Sequence, residues 1–169
     1  MIVVSNTSPL NYLILIEEIG LLPKLFGQVL IPESVISELL HPKASEAVRA
    51  WAASPPSWAD IRAPRVVDHT IELDTGERDA ICVALEAGAE RVLMDDARAC
   101  RLARERGLEV TRTGGVLVLA RERNLIDFPR AIERLRTTSY RIPEETIRTL
   151  LEQHSERERR QGADSERSE

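Results

Sequence analysis

Short apolar, β-branched runs alternate with helix-length segments along the first 123 residues, and this alternation narrows the fold more than any other feature. Ile2-Val3-Val4-Ser5, Val29-Leu30-Ile31, Val92-Leu93-Met94 and Leu108-Glu109-Val110 read as short strands. Helices are predicted between and after them. Ser8 as N-cap and Pro9 open one that reaches about Glu18. Pro32 opens another over 33–40, and a third helical stretch spans 43–53 before the Pro-rich loop 54–57. Leu73-Asp74-Thr75-Gly76 leads into a helix over 77–87 that Gly88 closes. Further helices are expected over 96–106, 114–123 (capped by Thr113), 128–137 and 143–154. Strands separated by helices in this way imply an α/β fold with a parallel sheet covered on both faces. Ligands of such sheets bind beyond the carboxyl ends of the strands, so the side chains there decide function.

The rest of the composition removes whole classes. Only Cys82 and Cys100 are present, too few for a disulfide scaffold or a multi-cysteine zinc ribbon, and both read as buried packing. The longest apolar stretches, Tyr12–Ile16 and Val116–Ala120, are far too short to span a bilayer. No basic segment precedes a long apolar one at the start, so no secretory signal is expected and the reading is a cytoplasmic protein. His41, His69 and His154 lack the paired spacing of a metal site. Aromatic residues make up 4%, which argues against a base-stacking platform. The net charge of −5 is unevenly spread: residues 1–90 hold 6 basic and 13 acidic side chains, residues 91–148 hold 13 and 9. A basic second half can meet nucleic acid if the positives share a face. Arg98, Arg101 and Arg104 recur on one helical face, which is either a solvated face or a ridge that contacts phosphate.

Polar side chains stand at the expected strand ends. Asn6-Thr7 follows the first strand and Asp95-Asp96 the third. At about 100° per residue, Glu77 falls on the stripe of Ile81, Ala84 and Gly88, which should face the core. Asp79 falls with Glu86 and Glu90 on the face expected to meet solvent. Glu38 lies at the edge of the apolar face of its helix. Carboxylates withdrawn from water need partners, and only Lys24, Lys43 and Arg49 occur in the first 60 residues. A divalent cation, Mg²⁺ or Mn²⁺, is the simplest partner for hard oxygen ligands. Two local alternatives stay open. Glu77 would complete a capping box with Asp74, and Asp95-Asp96 would form a turn and an N-cap. A phosphoacceptor switch domain also has acids at a strand end, but it needs a basic residue after a late strand, and the two lysines lie early.

These segments resemble the PIN-domain proteins related to VapC-type toxins. The matching residues are Ile2-Val3-Val4-Ser5-Asn6-Thr7-Ser8-Pro9-Leu10, Val29-Leu30-Ile31-Pro32 with Val35 and Glu38-Leu39, Gly76-Glu77-Arg78-Asp79-Ala80-Ile81, and Val92-Leu93-Met94-Asp95-Asp96. The resemblance implies a PIN-like three-layer sandwich over 1–154, with its metal-site core at about 1–125, and the charged residues 155–169 are expected to be disordered. It implies a Mg²⁺- or Mn²⁺-dependent endoribonuclease with Glu38, Glu77 and Asp95 as catalytic residues and metal ligands. Asn6 and Asp96 would complete the metal set, and Asp79, Thr7 and Ser8 are weaker candidates. Arg98, Arg101 and Arg112 would contact RNA. The implied partners are an RNA substrate, a cognate antitoxin and a second copy of the chain. The family usually has Asp where this chain has Asn6, which removes a negative charge from the site. The alternative is therefore a PIN-fold module that binds RNA or protein without cleaving.

Overall fold

The computed structural model describes residues 1–166. Five strands form one sheet: β1 (Val3–Ser5), β2 (Val29–Pro32), β3 (Ala59–Arg62), β4 (Arg91–Leu93) and β5 (Glu109–Thr111). Their order is β3-β2-β1-β4-β5, and every pair is parallel. Val3 lies opposite both Val29 and Arg91, which centres β1 in the sheet. β3 was not anticipated. It is an edge strand whose residues, Ala-Asp-Ile-Arg, are only partly covered, so it carries no apolar run to read.

Nine helices are described: α1 (Thr7–Leu15), α2 (Leu21–Phe26), α3 (Glu33–Leu39), α4 (Glu46–Ala53), α5 (Thr75–Ala87), α6 (Ala97–Glu105), α7 (Thr113–Glu122), α8 (Phe128–Arg136) and α9 (Glu144–Glu166). Successive strand residues point to opposite faces, and the core is split accordingly. Val3, Val29, Ile31 and Leu93 pack with α1–α4, α7 and α8. Val4, Leu30, Val92 and Met94 pack with α5 and α6 on the other face. This is the expected three-layer sandwich. Each fully buried Leu, Ile or Val contributes about 1.5–3 kcal/mol, so both layers are held by the same continuous strands that the sequence displays.

The connections fix where a ligand can sit. From central β1 the chain winds outward to β2 and β3, then crosses back through α5 to β4 and β5 on the other side. The direction reverses between β1 and β4, the switch point at which such sheets open a crevice.

Three expectations need correction. The helix after β1 starts at Thr7 with Asn6 as its N-cap residue, not at Ser8, and Pro9 is accommodated in its first turn. Asp79 is not on a solvent face but only 7% exposed. The segment before α5 folds over that helix, with the Arg65 and Val66 N–H groups donating to Glu86 and Asp68 N–H to the Cys82 thiol, so the helix is covered on nearly every side. Finally, α9 continues to Glu166, past the expected boundary at 154. Its Glu, Gln and Arg residues are good helix formers, and Arg157 donates to the Glu122 carbonyl at 2.7 Å while His154 pairs with Glu158. Of the expected disordered tail, residues 167–169 lie outside the described residues.

Candidate acidic cleft at the switch point

Asn6 and the acids reach the carboxyl edge of the sheet from four places in the chain: the end of β1, α3, α5 and the end of β4. Asn6 directly follows β1, and its N–H donates to the Leu93 carbonyl at 2.9 Å, extending the β1–β4 pairing by one residue. The residue is 3% exposed, and its Oδ1 is buried with no hydrogen-bond partner. An amide oxygen left in that state costs about 1–3 kcal/mol, so it marks a place where something else should supply the partner.

Glu38, near the end of α3, is held by two other elements. The Thr7 hydroxyl and the Gly76 N–H, the latter at 3.0 Å, both donate to its carboxylate. Gly76 admits this approach because it has no side chain: a Cβ there would lie 2.5 Å from Glu38 Oε1. Thr7 is thus engaged by Glu38.

Glu77 sits in the first turn of α5. Its carboxylate accepts the Asp74 N–H, which is one half of a capping box; the other half is missing, since the Asp74 side chain caps nothing. Burial and the charges of Asp96, Asp74 and Glu38 push its carboxyl up to about 7. The charges that act on it most strongly are all negative.

Asp95 and Asp96 differ in role although they are adjacent. Asp96 N-caps α6, accepting from the Ala99 N–H at 2.9 Å, and is also the charge that most affects Glu77. Asp95 accepts three hydrogen bonds: from the Thr113 N–H (2.8 Å), the Thr113 hydroxyl (2.7 Å) and the Tyr140 hydroxyl (3.0 Å). Burial raises its carboxyl against the pull of these donors and of Arg112. Asp95 therefore fastens β4, the start of α7 and residues 137–143 together. Asp79 does not join the others; the Arg78 guanidinium takes its carboxylate at 3.0 Å.

Two adjoining hollows share Glu77 and Asp96. One, about 370 Å³, also touches Ser8, Tyr12, Asp95, Arg112, Tyr140 and Arg141. The other, about 480 Å³, also touches Glu72, Leu73, Asp74 and Arg98. Arg98 pairs there with Glu72 at 3.4 Å. Arg101 is exposed on α6 and lines neither hollow. Larger hollows beside α9, of about 610 and 860 Å³, gather no cluster of acids at a strand end; Glu144 there is neutralised by Arg136. Tyr12, Tyr140 and Arg141 were missed by the sequence reading. Nothing local marks them, since the last two come from a connection 45 residues beyond Asp95 that folds back onto it.

Among the described residues no group of three or more Asp, Glu, His or Cys side chains stands where it could hold a metal ion. The crowded negative charge at Glu77 and Asp96 nevertheless fits a hydrated divalent cation, while Glu38 and the unpartnered Asn6 oxygen, at the same edge of the sheet, line neither hollow. Mg²⁺ keeps several waters and commonly takes only one or two carboxylates.

A doubly wound parallel sheet with acids gathered at its switch point defines the class, a three-layer α/β protein with its candidate site at the carboxyl edge of the sheet. A family model described as a PIN domain matches residues 2–156, and the chain belongs to the PIN-domain family. No curated protein and no solved structure matches it. Among the described residues no helix is long and apolar enough to cross a membrane.

Proposed function

We propose that this chain is a Mg²⁺- or Mn²⁺-dependent endoribonuclease. Glu77 carries the reading: burial and then the charges of Asp96, Asp74 and Glu38 raise its carboxyl, as expected where acids gather to share a divalent cation. Glu77 and Asp96 would hold the metal, with Glu38 and the Asn6 amide oxygen acting through its coordinated waters. When bound, the ion supplies an activated water and offsets charge at the scissile phosphodiester. The protein's own part is orientation. Thr7 and Gly76 fix the Glu38 carboxylate, the Asp74 N–H and the first turn of α5 fix Glu77, and the Ala99 N–H fixes Asp96. Water adds to phosphorus, and the bond to the leaving sugar oxygen breaks. Asp95, with three donors already on its carboxylate, is a positioning residue in this scheme rather than the ligand that the resemblance implies.

Single-stranded RNA incubated with the protein and Mn²⁺ should be cut, and a chelator or Glu77→Gln should each abolish cutting. Cutting that survives Glu77→Gln would overturn the proposal. A second reading, a module that binds RNA or protein without cleaving, is supported by the neutral Asn6; RNA binding with no cutting under any metal would favour it. The resemblance to VapC-type toxins extends the proposal to toxin activity, with an antitoxin segment covering the cleft. Expression should then arrest growth, and Glu77→Gln should relieve the arrest.

A further inference from the structure

We propose that Arg112, Arg141, Tyr12 and Tyr140 form a subsite for one nucleotide of single-stranded RNA, directly beside Glu77 and Asp96. The proposal rests on the nuclease reading and adds how the substrate is gripped. All four side chains line the 370 Å³ hollow that those two acids share with the neighbouring 480 Å³ hollow. A strand seated in the first therefore meets the acids on its way to the second.

The first hollow has the right chemistry for phosphate. Arg141 is exposed and, among the described residues, has no ion-pair partner. Arg112 is exposed too, and its guanidinium is engaged with the Cys100 thiol rather than in an ion pair. The nearby Asp95 carboxylate is already engaged by Thr113 and Tyr140. Arg141 is thus left to take phosphate oxygens with its whole guanidinium fork, and Arg112 with the N–H groups that the thiol does not use.

The tyrosines supply a surface for the base. The chain has only two, and both are here. Their hydroxyls are committed, Tyr12 to Ser139 at 3.0 Å and Tyr140 to Asp95 and the Gly114 N–H. What remains for a ligand is ring surface, arranged edge-to-face with centroids 4.9 Å apart. One base can pack there, although a run of stacked bases cannot. The volume suits a single small ligand, and a base enters such a hollow only when it is unpaired.

The test uses the full chain, with Ca²⁺ in place of Mg²⁺, and a fluorescein-labelled 2′-O-methyl RNA hexamer, read by anisotropy across a salt series. Each phosphate contact contributes about 0.7 to the slope of log affinity against log salt for single strands. Arg112→Ala with Arg141→Ala should therefore flatten the slope by about 0.7 where both grip one phosphate, or about 1.4 where each takes one of the two that flank the base, and weaken binding at least tenfold. Tyr12→Leu should weaken binding about tenfold without changing the slope, and this loss should vanish with an abasic oligomer. Thermal melts establish that each variant is folded. An unchanged slope and affinity in the double arginine variant, no measurable binding by wild type, or equal binding of a duplex would overturn the subsite. Cleavage of unmodified RNA with Mn²⁺, assayed beside it, keeps the two claims apart. Cutting with an unchanged slope sinks the subsite alone, whereas the expected slopes without any cutting sink the nuclease reading alone.

Discussion

Gly76 shows how a single missing atom can shape the cleft. The Glu38 carboxylate occupies the space a Cβ would need, and the group displaced by Gly76→Ala is the far end of an exposed side chain. Alanine also favours the helix by up to about 1 kcal/mol over glycine. Gly76→Ala is therefore expected to leave the melting temperature unchanged or raise it, while Mn²⁺ affinity, read by calorimetry, falls. A large loss of stability would show that Glu38 cannot move as argued. Glu77 makes the second prediction at this scale. Its carboxyl is raised above the ordinary value of 4.5 to about 7, so the folded metal-free protein binds more protons than the unfolded chain between those values. Stability then falls as pH rises through that window, by an amount on the order of 1 kcal/mol after solvent screening of a half-buried group. Urea denaturation of metal-free protein at pH 5 and pH 7.5 checks it, and Glu77→Gln should remove the difference. A metal-free protein that gains stability across the window would contradict the account of Glu77.

The Asp95 cluster gives a prediction about elements. One carboxylate ties the end of β4 to the first turn of α7 and to residues 137–143. Asp95→Asn cannot accept from all three donors with charge, and should cost about 1–3 kcal/mol. Tyr140→Phe, which removes one hydroxyl, should cost about 1 kcal/mol. Neither should abolish metal binding; loss of Mn²⁺ binding in Asp95→Asn at a temperature where it is folded would return Asp95 to the ligand set. The strength of this cluster was not legible from the sequence, because Tyr140 lies in an irregular connection with no periodic signal. What was legible is the alternation itself. β1 and β2 are buried throughout, as are Val92, Leu93 and Met94 at β4, so each shows an apolar run, whereas edge strand β3 does not and went unread. Asp79 was misplaced for a related reason. A helical wheel assumes one covered face, and α5 is covered by the sheet, by neighbouring helices and by the segment before it. The N-cap alternative held for Asp96, whereas the capping box of Glu77 with Asp74 formed only by half, and both acids combine a capping contact with a place at the cleft.

The whole molecule is arranged so that, beside Asn6, acids separated by up to 58 residues, from Glu38 to Asp96, meet at one edge of the sheet. Their mutual repulsion is a cost of the fold that a cation bound only to the folded state offsets by mass action. The most direct test is calorimetric titration of Mn²⁺ into wild type, Glu77→Gln, Asp96→Asn and Asp95→Asn, each first shown to be folded. Binding lost in Glu77→Gln, sharply weakened in Asp96→Asn and retained in Asp95→Asn is the predicted result; Mn²⁺ binding undiminished in Glu77→Gln would contradict it.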